Sequence, residues 1–521
     1  MPEGLLHRHR KATRTSGLGP RSLPKVCVTV AGPSLDRLRA AALAEIARIT
    51  PAQRFLELRL DFLRPAAWRD LRGLARLVRD LRRRRCALIV TLRSIAAGGK
   101  FAGSAEEQLQ ILSEVAAAGS NLVDLEVESA EHLGHAAVRA LRKAAPVMIS
   151  FHDYRETPAG LEMALGRLHH FPADYYKLVT QSNDPLDNAT VLDLLAHGRG
   201  HLVAFTMGEI GRPTRVMCLA AGSPFTYAAA LRSGVPGIGQ IPATLMRGLY
   251  RADRIGKRTR VFAVVGHPIG HSLSPVIHNV ALADRGLDAT YVACEAADFV
   301  SFWETFRSRL AGLSITMPHK EAAARAADER DPAAERAGAA NTLVRRGDVW
   351  KAYNTDAIGL LRPLQKRLKL AGARVLVAGA GGAARAAVTV LGEAGCRVSI
   401  VNRTAEKAQE LARELGAEVV TRESLAGTRY DAVIHTTPLG MTPNVAGCFF
   451  EPHELNTRIL FETVYTPATT CLMRLAQRKG IDVISGVEMF LTQAFEQFRL
   501  WTGKKAPEKL MEDALRAALP K

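Results

Sequence analysis

Cysteine is scarce in this chain of 521 residues: there are seven, at positions 27, 86, 218, 294, 396, 448 and 471. The number is odd and no two form a C-x-x-C pair, which excludes a disulfide framework and a structural zinc site and favours a reducing compartment, here taken as the cytoplasm. Long apolar runs are also missing. None reaches the roughly 20 residues needed to cross a bilayer, so no membrane partner is expected. Residues 1–23 lack the apolar centre of a secretory signal and carry one acid, Glu3, among many basic residues; they read as a disordered basic tail. Aromatics make up only 6% of the sequence, and no aromatic RNA-binding signature or zinc-finger spacing is present.

Acids are outnumbered. Lys and Arg total 70 against 51 Asp and Glu, a net charge of +19. Such a surplus raises nucleic-acid binding as a hypothesis. The arginines, however, are scattered along helical stretches, and the one tight run is Arg82 to Arg85. A basic surface that steers small anionic substrates accounts for the charge without a nucleic-acid partner.

The first half alternates short apolar strands with amphipathic stretches. Strands are expected at 25–30, 55–60, 87–92, 121–127, 147–151, 175–179, 202–207 and 224–228. Eight such units over residues 24–250 give the arithmetic of a (β/α)8 TIM barrel. A second rhythm begins near Val261. It predicts an α/β substrate domain over 256–356, a Rossmann dinucleotide-binding domain over 357–485, and C-terminal helices over 486–521 that return to the substrate domain.

In "DYYKLV", Lys177 stands in the middle of an apolar strand. Either its side chain escapes to solvent, or it is the chemistry, because a buried ammonium is costly and a neutral lysine is a nucleophile. The neighbouring strand ends decide. Glu57 and Arg59, Arg93, Asp124 and Glu126, His152, and then Arg215 fall on or after consecutive strands, and a barrel of this class places its chemistry at those ends. Arginines beside Lys177 would lower its pKa and hold an anion. A neutral Lys177 would then attack a ketone to form an imine, and His152 on the preceding strand suits proton transfer at the adjacent carbon.

The segments "ELRLD", "TLRS", "SFHDY", "YYKLV" and "MGEIGRPTR" resemble type I 3-dehydroquinate dehydratase. The resemblance implies dehydration of 3-dehydroquinate to 3-dehydroshikimate through a Schiff base on Lys177, with His152 as general acid and base. Glu57, Arg59, Arg93, Arg215, Ser233 and Gln240 would contact substrate. Ala97 stands where this family usually has a glutamate before a Gly-Gly pair, and "RSGVPGIGQIP" carries extra residues between Ser233 and Gln240.

In the second half, "VAGAGGAARAA" places Gly379, Gly381 and Gly382 between a strand and a helix, a turn that admits a pyrophosphate. The next strand ends in Asn402, Arg403 and Thr404 rather than in an acid, which suits the 2′-phosphate of NADP. Lys320 and Asp356 could meet as a proton-transfer pair, although on spacing alone a strand-end lysine and a helix-capping aspartate are the simpler reading. "GHPIGHSLSPVIHN", "SITMPHK", "GAANTLV", "AYNTDAIGL", "VNRT", "TTPLGM" and "GVEMFLTQAFEQFRLWTG" together resemble shikimate dehydrogenase. That resemblance implies Lys320 as catalytic lysine beside Asp356, and Ser272, Ser274, Thr316, Asn341, Tyr465 and Gln493 as substrate contacts. Gly379, Gly381, Gly382, Ala383, Asn402, Arg403, Thr404 and Gly486 would bind NADP. Ser314, His435 and Glu462 stand where the family more often has Asn, Asn and Asp. The two halves read together as a bifunctional shikimate-pathway enzyme of aromatic amino acid biosynthesis acting on 3-dehydroquinate, 3-dehydroshikimate and shikimate. The alternative is a second half that oxidises quinate or shikimate with NAD.

Overall fold

The computed structural model describes residues 23–197, 201–231 and 239–519. The chain forms two compact units. The first comprises Met1–Asn183 and Thr190–Lys257; the second comprises Asp184–Ala189 and Arg258–Lys521.

Eight strands form the sheet of the first unit: β1 (Val26–Ala31), β2 (Phe55–Arg59), β3 (Ala87–Thr91), β4 (Leu122–Glu126), β5 (Val147–Asp153), β6 (Tyr175–Gln181), β7 (Leu202–Met207) and β8 (Thr226–Ala229). Their order is β7-β6-β5-β4-β3-β2-β1-β8, and every pairing is parallel. Val, Ile and Leu fill the strands, as sheets covered on both faces require. Among their polar residues, Thr29, Glu57, Thr91, Asp124, Ser150 and Lys177 are all buried. The register sets Lys177 opposite Ser150 on one side and Val203 on the other. This is the nearly closed parallel barrel that the spacing of apolar segments predicts.

The second unit has two six-stranded sheets. The first contains β9 (Arg260–Gly266), β10 (Ala289–Glu295), β11 (Gly312–Ile315), β12 (Glu329–Arg330), β13 (Thr342–Arg346) and β14 (Val349–Tyr353), ordered β10-β9-β11-β13-β14-β12. The pairings of β13 with β11 and β14 are antiparallel; the others are parallel. The second contains β15 (Arg374–Ala378), β16 (Arg397–Val401), β17 (Glu418–Val419), β18 (Tyr430–His435), β19 (Thr457–Glu462) and β20 (Asp482–Ile484), all parallel in the order β17-β16-β15-β18-β19-β20. That order reverses beside β15, the switch point at which doubly wound sheets bind dinucleotides.

Ser485 caps the long helix Gly486–Thr502 by accepting the Glu488 amide. Its Val487, Leu491, Ala494, Phe498 and Trp501 share one core with Phe262 and Val264 of β9 and with Ile277 of the helix Ser274–Asp284. The opposite run of this helix reaches the polar site described below. Among the described residues no helix is long and apolar enough to cross a membrane.

Candidate active sites

In the barrel, Lys177 is 4% exposed. Its Nζ donates to Asp124 Oδ2 at 3.3 Å, lies 3.6 Å from Glu57 Oε1, and sits 4.1 Å from the centre of the Tyr227 ring. Both acids are held in place. Glu57 accepts from Thr29 at 2.8 Å and from Thr91 at 2.9 Å. Asp124 accepts from Ser150 at 2.5 Å and from Arg93 Nη2 at 2.9 Å. Burial raises both carboxyls, but Lys177 and the neighbouring arginines outweigh it and leave them below the ordinary carboxylate range. The sequence reading sets arginines 59, 93 and 215 beside the lysine. The groups against Lys177 are the carboxylates of Asp124 and Glu57, the acceptors in reach of its Nζ, and Arg93 stands behind Asp124.

Arg93 Nη1 lies 2.6 Å from His152 Nε2. A guanidinium can only donate, so Nε2 is the acceptor and the neutral ring carries its proton on Nδ1. Burial, then Arg93 and Lys177, hold the imidazole well below its usual value. The folded pKa is below the unfolded one, so this stability is present above about pH 6.5 and is lost as pH falls through it. Glu57 and Asp124 add the same sign below about pH 4. We expect the thermal midpoint of the first unit to drop more between about pH 7.5 and about pH 5.5 in the parent chain than in His152→Gln. Equal drops by calorimetry would contradict the buried neutral state of His152.

Arg59 pairs with Asp61 through two contacts of 2.9 Å. Arg215 lies 4.6 Å from the Phe205 ring centre, and burial pushes it down to about 10. Arg93 Nε, His152 Nδ1, Arg215 Nε, the Tyr227 hydroxyl and Gln240 Oε1 are buried without partners among the described residues. Unmet polar atoms of this kind suit a polar ligand. Ser233 lies outside the described residues. Asp124, bound to Lys177, Arg93 and Ser150 at once, stands among the strand-end charges of the sequence but was given no role there. Its signal was the same as that of Lys177, a charge inside an apolar strand. Glu126, by contrast, holds the loop after β3 by accepting from the Ser94 amide, and also accepts from Gln108.

In the second unit Lys320 is the first residue of the helix Lys320–Ala326, and Asp356 lies in the first turn of the helix Thr355–Gln365. Lys320 Nζ donates to Asp356 Oδ2 at 2.6 Å, and the other carboxylate oxygen accepts from Asn341 Nδ2 at 2.8 Å. Asp356 thus pairs with the lysine and does not cap its helix. Asn341 Oδ1 accepts the Thr355 amide at 2.8 Å, and Gln493 Oε1 lies 3.4 Å from Asn341 Nδ2. Four of the expected residues, Lys320, Asp356, Asn341 and Gln493, therefore form one connected group. Thr316 follows β11, with its methyl group facing Gly266. Ser274 is buried at the start of the helix Ser274–Asp284, with its amide 3.4 Å from Ser272 Oγ. Tyr465 stacks on Phe490 at 4.9 Å, and burial raises its hydroxyl.

The glycine-rich turn joins β15 to the helix Gly382–Glu393. Gly379 has φ +124°, and a Cβ there would lie 2.4 Å from Thr436 Oγ1. No side chain caps the helix at Gly381, and nothing lies within 4 Å of where a Cβ would stand on Gly381 or Gly382. Uncapped amides facing open space fit a pyrophosphate. After β16, Asn402 donates to the Thr404 carbonyl at 2.9 Å, and Arg403 is exposed. Gly486 packs against the carbonyls of Thr463 and Val464, where a Cβ would collide.

Two sequence departures prove to be partners. His435 and Glu462 sit opposite each other at the ends of β18 and β19, both fully buried, with Nδ1 2.9 Å from Oε1. His435 Nε2 reaches Thr437, while Glu462 accepts from Thr470 and the Val464 amide. The pair fixes the loops on either side, one of which carries Tyr465.

Residues 26–257 match the family model for type I 3-dehydroquinase. Residues 264–343 match the shikimate dehydrogenase substrate binding domain, 363–438 the shikimate / quinate 5-dehydrogenase, and 486–516 the shikimate 5'-dehydrogenase C-terminal domain. A chloroplastic bifunctional 3-dehydroquinate dehydratase/shikimate dehydrogenase of Arabidopsis thaliana is 32% identical over 482 residues, covering 87% of this chain and 78% of that one. A shikimate dehydrogenase (NADP(+)) of Maridesulfovibrio salexigens is 40% identical, covering 50% of this chain and 97% of its own length. Among solved structures, shikimate 5-dehydrogenase from Thermus thermophilus, in complex with NADP(H) and shikimate, is 35% identical with a TM-score of 0.47. It covers 50% of this chain and 100% of that one.

Proposed function

Because the chain belongs to the bifunctional 3-dehydroquinate dehydratase/shikimate dehydrogenase family, we propose that Lys177 is the imine-forming residue of its first activity and that Lys320 with Asp356 serves its second. The chain dehydrates 3-dehydroquinate to 3-dehydroshikimate and reduces that product to shikimate with NADPH, two steps of the shikimate pathway. The observation that carries the assignment is a lysine 4% exposed, with two proton acceptors within 3.6 Å and a neutral histidine on the adjacent strand.

Lys177 hands a proton to Asp124 or Glu57 and attacks the substrate ketone. Loss of water gives the iminium, which draws electrons from the adjacent carbon. His152 then takes the proton from that carbon and returns one to the departing hydroxyl, which leaves as water. Hydrolysis of the iminium frees the product and restores the amine. Arg59, Arg93, Arg215, Gln240 and Ser233 serve as contacts for the substrate carboxylate and hydroxyls.

In the second unit Ser272, Ser274, Thr316, Asn341, Tyr465 and Gln493 hold the substrate. Lys320 delivers the proton to the ketone oxygen, and Asp356 keeps its ammonium aimed. NADPH, when bound, supplies the hydride. The turn Gly379–Ala383 and the helix N-terminus would hold its pyrophosphate, and Asn402, Arg403 and Thr404 its 2′-phosphate. We place the chain in the cytoplasm, a reducing compartment consistent with seven free thiols.

One preparation should form 3-dehydroshikimate from 3-dehydroquinate without nucleotide and oxidise shikimate with NADP; a folded chain failing either assay would remove that site from the reading. Arg403→Ala is expected to raise KM for NADPH about tenfold, the loss of one charge-assisted bond, and to leave KM for NADH nearly unchanged. An equal rise for both nucleotides would show that Arg403 does not meet the 2′-phosphate.

A further inference from the structure

We propose that Gln497 is a positioning residue of the second site: it fixes the direction of a buried hydrogen-bond array that ends on Asp356. The proposal rests on the dehydrogenase reading of that site. Gln497 is 2% exposed, on the helix Gly486–Thr502. It touches neither Lys320 nor Asp356, but bonds to what surrounds them. Its Nε2 donates to the Asn341 carbonyl at 3.2 Å and to Thr342 Oγ1 at 3.0 Å. Its Oε1 accepts from Ser314 Oγ at 3.1 Å, and Ser314 in turn accepts from the Tyr291 hydroxyl at 2.7 Å.

The direction of this array is not free. A backbone carbonyl can only accept, so the amide nitrogen of Gln497 must face Asn341, and its oxygen must face Ser314. Thr342, receiving that N–H, donates its own hydrogen to Asn341 Oδ1 at 2.9 Å, nearer than its other neighbour, Thr355 Oγ1 at 3.3 Å. Asn341 Oδ1 also receives the Thr355 amide at 2.8 Å, a donor that cannot reverse. With its oxygen committed twice, Asn341 must present its amide to Asp356 Oδ1, at 2.8 Å. Every donor from Tyr291 onward therefore points along the array toward a carboxylate whose other oxygen holds Lys320. Aligned donors reinforce one another in a dry interior, and a reversed member leaves two acceptors face to face. Ser314, whose hydroxyl can both give and receive, is the member that lets the array extend from Tyr291.

The groups packed around Gln497 do not change charge near neutrality. Burial pushes the His278 imidazole, stacked on Tyr291 at 4.7 Å, down to about 3, and burial raises the Tyr291 hydroxyl. Glu496 on the same helix turns to Arg499 and Arg362. Asp356 and Lys320 lie at the far end, and both substitutions below disturb the array that reaches them, so comparing the two variants with each other isolates the introduced carboxyl.

The test uses the full chain with two substitutions. Gln497→Glu keeps the shape but puts a carboxylate oxygen against the Asn341 carbonyl. Gln497→Met keeps the bulk and removes all three bonds. Both are expected to lower kcat/KM for shikimate by about 10- to 100-fold at about pH 8, the loss from a buried unpaired group, with KM for NADP unchanged within about twofold. Lowering the pH toward about 6 protonates the introduced carboxyl, which can then donate to the carbonyl. The ratio of Gln497→Glu to parent should therefore rise on acidification, while that of Gln497→Met stays flat. Parent-like rates for both variants, or ratios that move together with pH, would overturn the proposal. A parent chain that failed to oxidise shikimate would instead refute the reading of the site itself.

Discussion

Lys177→Ala is expected to lower the rate of 3-dehydroquinate dehydration by on the order of 10^4-fold or more, since it removes the covalent route altogether. Shikimate oxidation by the same variant should be unchanged, because the dehydrogenase site is assembled wholly from residues of the second unit. Borohydride added to the parent chain with 3-dehydroquinate should reduce the iminium and leave a stable adduct on the peptide carrying Lys177. The structure sharpens what the variant should look like. Asp124 and Glu57 are both depressed by the lysine they face. Without Lys177 two carboxylates remain buried in one cluster with less positive charge, so the variant should also be less stable. An adduct on a different lysine, or full dehydration by Lys177→Ala, would refute the assignment.

The mirror-image loss is expected at Lys320. Lys320→Met should slow 3-dehydroshikimate reduction by about 10^2- to 10^4-fold, the usual contribution of one general acid, and leave dehydration intact. Asp356→Asn keeps an oxygen for the 2.6 Å contact with Lys320 but turns an N–H toward Asn341 Nδ2, two donors face to face, so it too should slow reduction. Its KM for NADPH should stay at the parent value. A variant at Lys320 that kept its rate would contradict the proton-delivery role.

The barrel was legible because its strands are covered on both faces. Such strands read as apolar runs, so a charge inside one stands out, as Lys177 does. Asp124 gives the same warning but reads locally as an ordinary strand end; nothing in "NLVDLEV" shows that the register of β4, β5 and β6 brings it to the lysine two strands away. The neighbourhood of Lys177 has the same origin. Motif order brings the arginines to mind together, whereas strand register decides which side chains meet. In the second unit the pairing of Lys320 with Asp356 was unreadable from spacing, since the two lie 36 residues apart on different helices. His435 and Glu462 stand in the sequence as two unrelated departures. Only the parallel pairing of β18 with β19 sets them opposite each other and makes them one interaction. Gln497 was hidden for a further reason: its role lies in the direction of its hydrogen bonds, which is fixed by backbone groups from another element.

The central claim is that one chain carries two separate sites acting in sequence. It is tested most directly by mixing Lys177→Ala with Lys320→Met and following NADPH consumption from 3-dehydroquinate. Each variant alone should consume almost none, and the mixture should recover NADPH consumption, with the intermediate passing through solution from one variant to the other. A mixture as inactive as its components, while Lys177→Ala still reduces added 3-dehydroshikimate and Lys320→Met still dehydrates, would contradict two sites working independently in series.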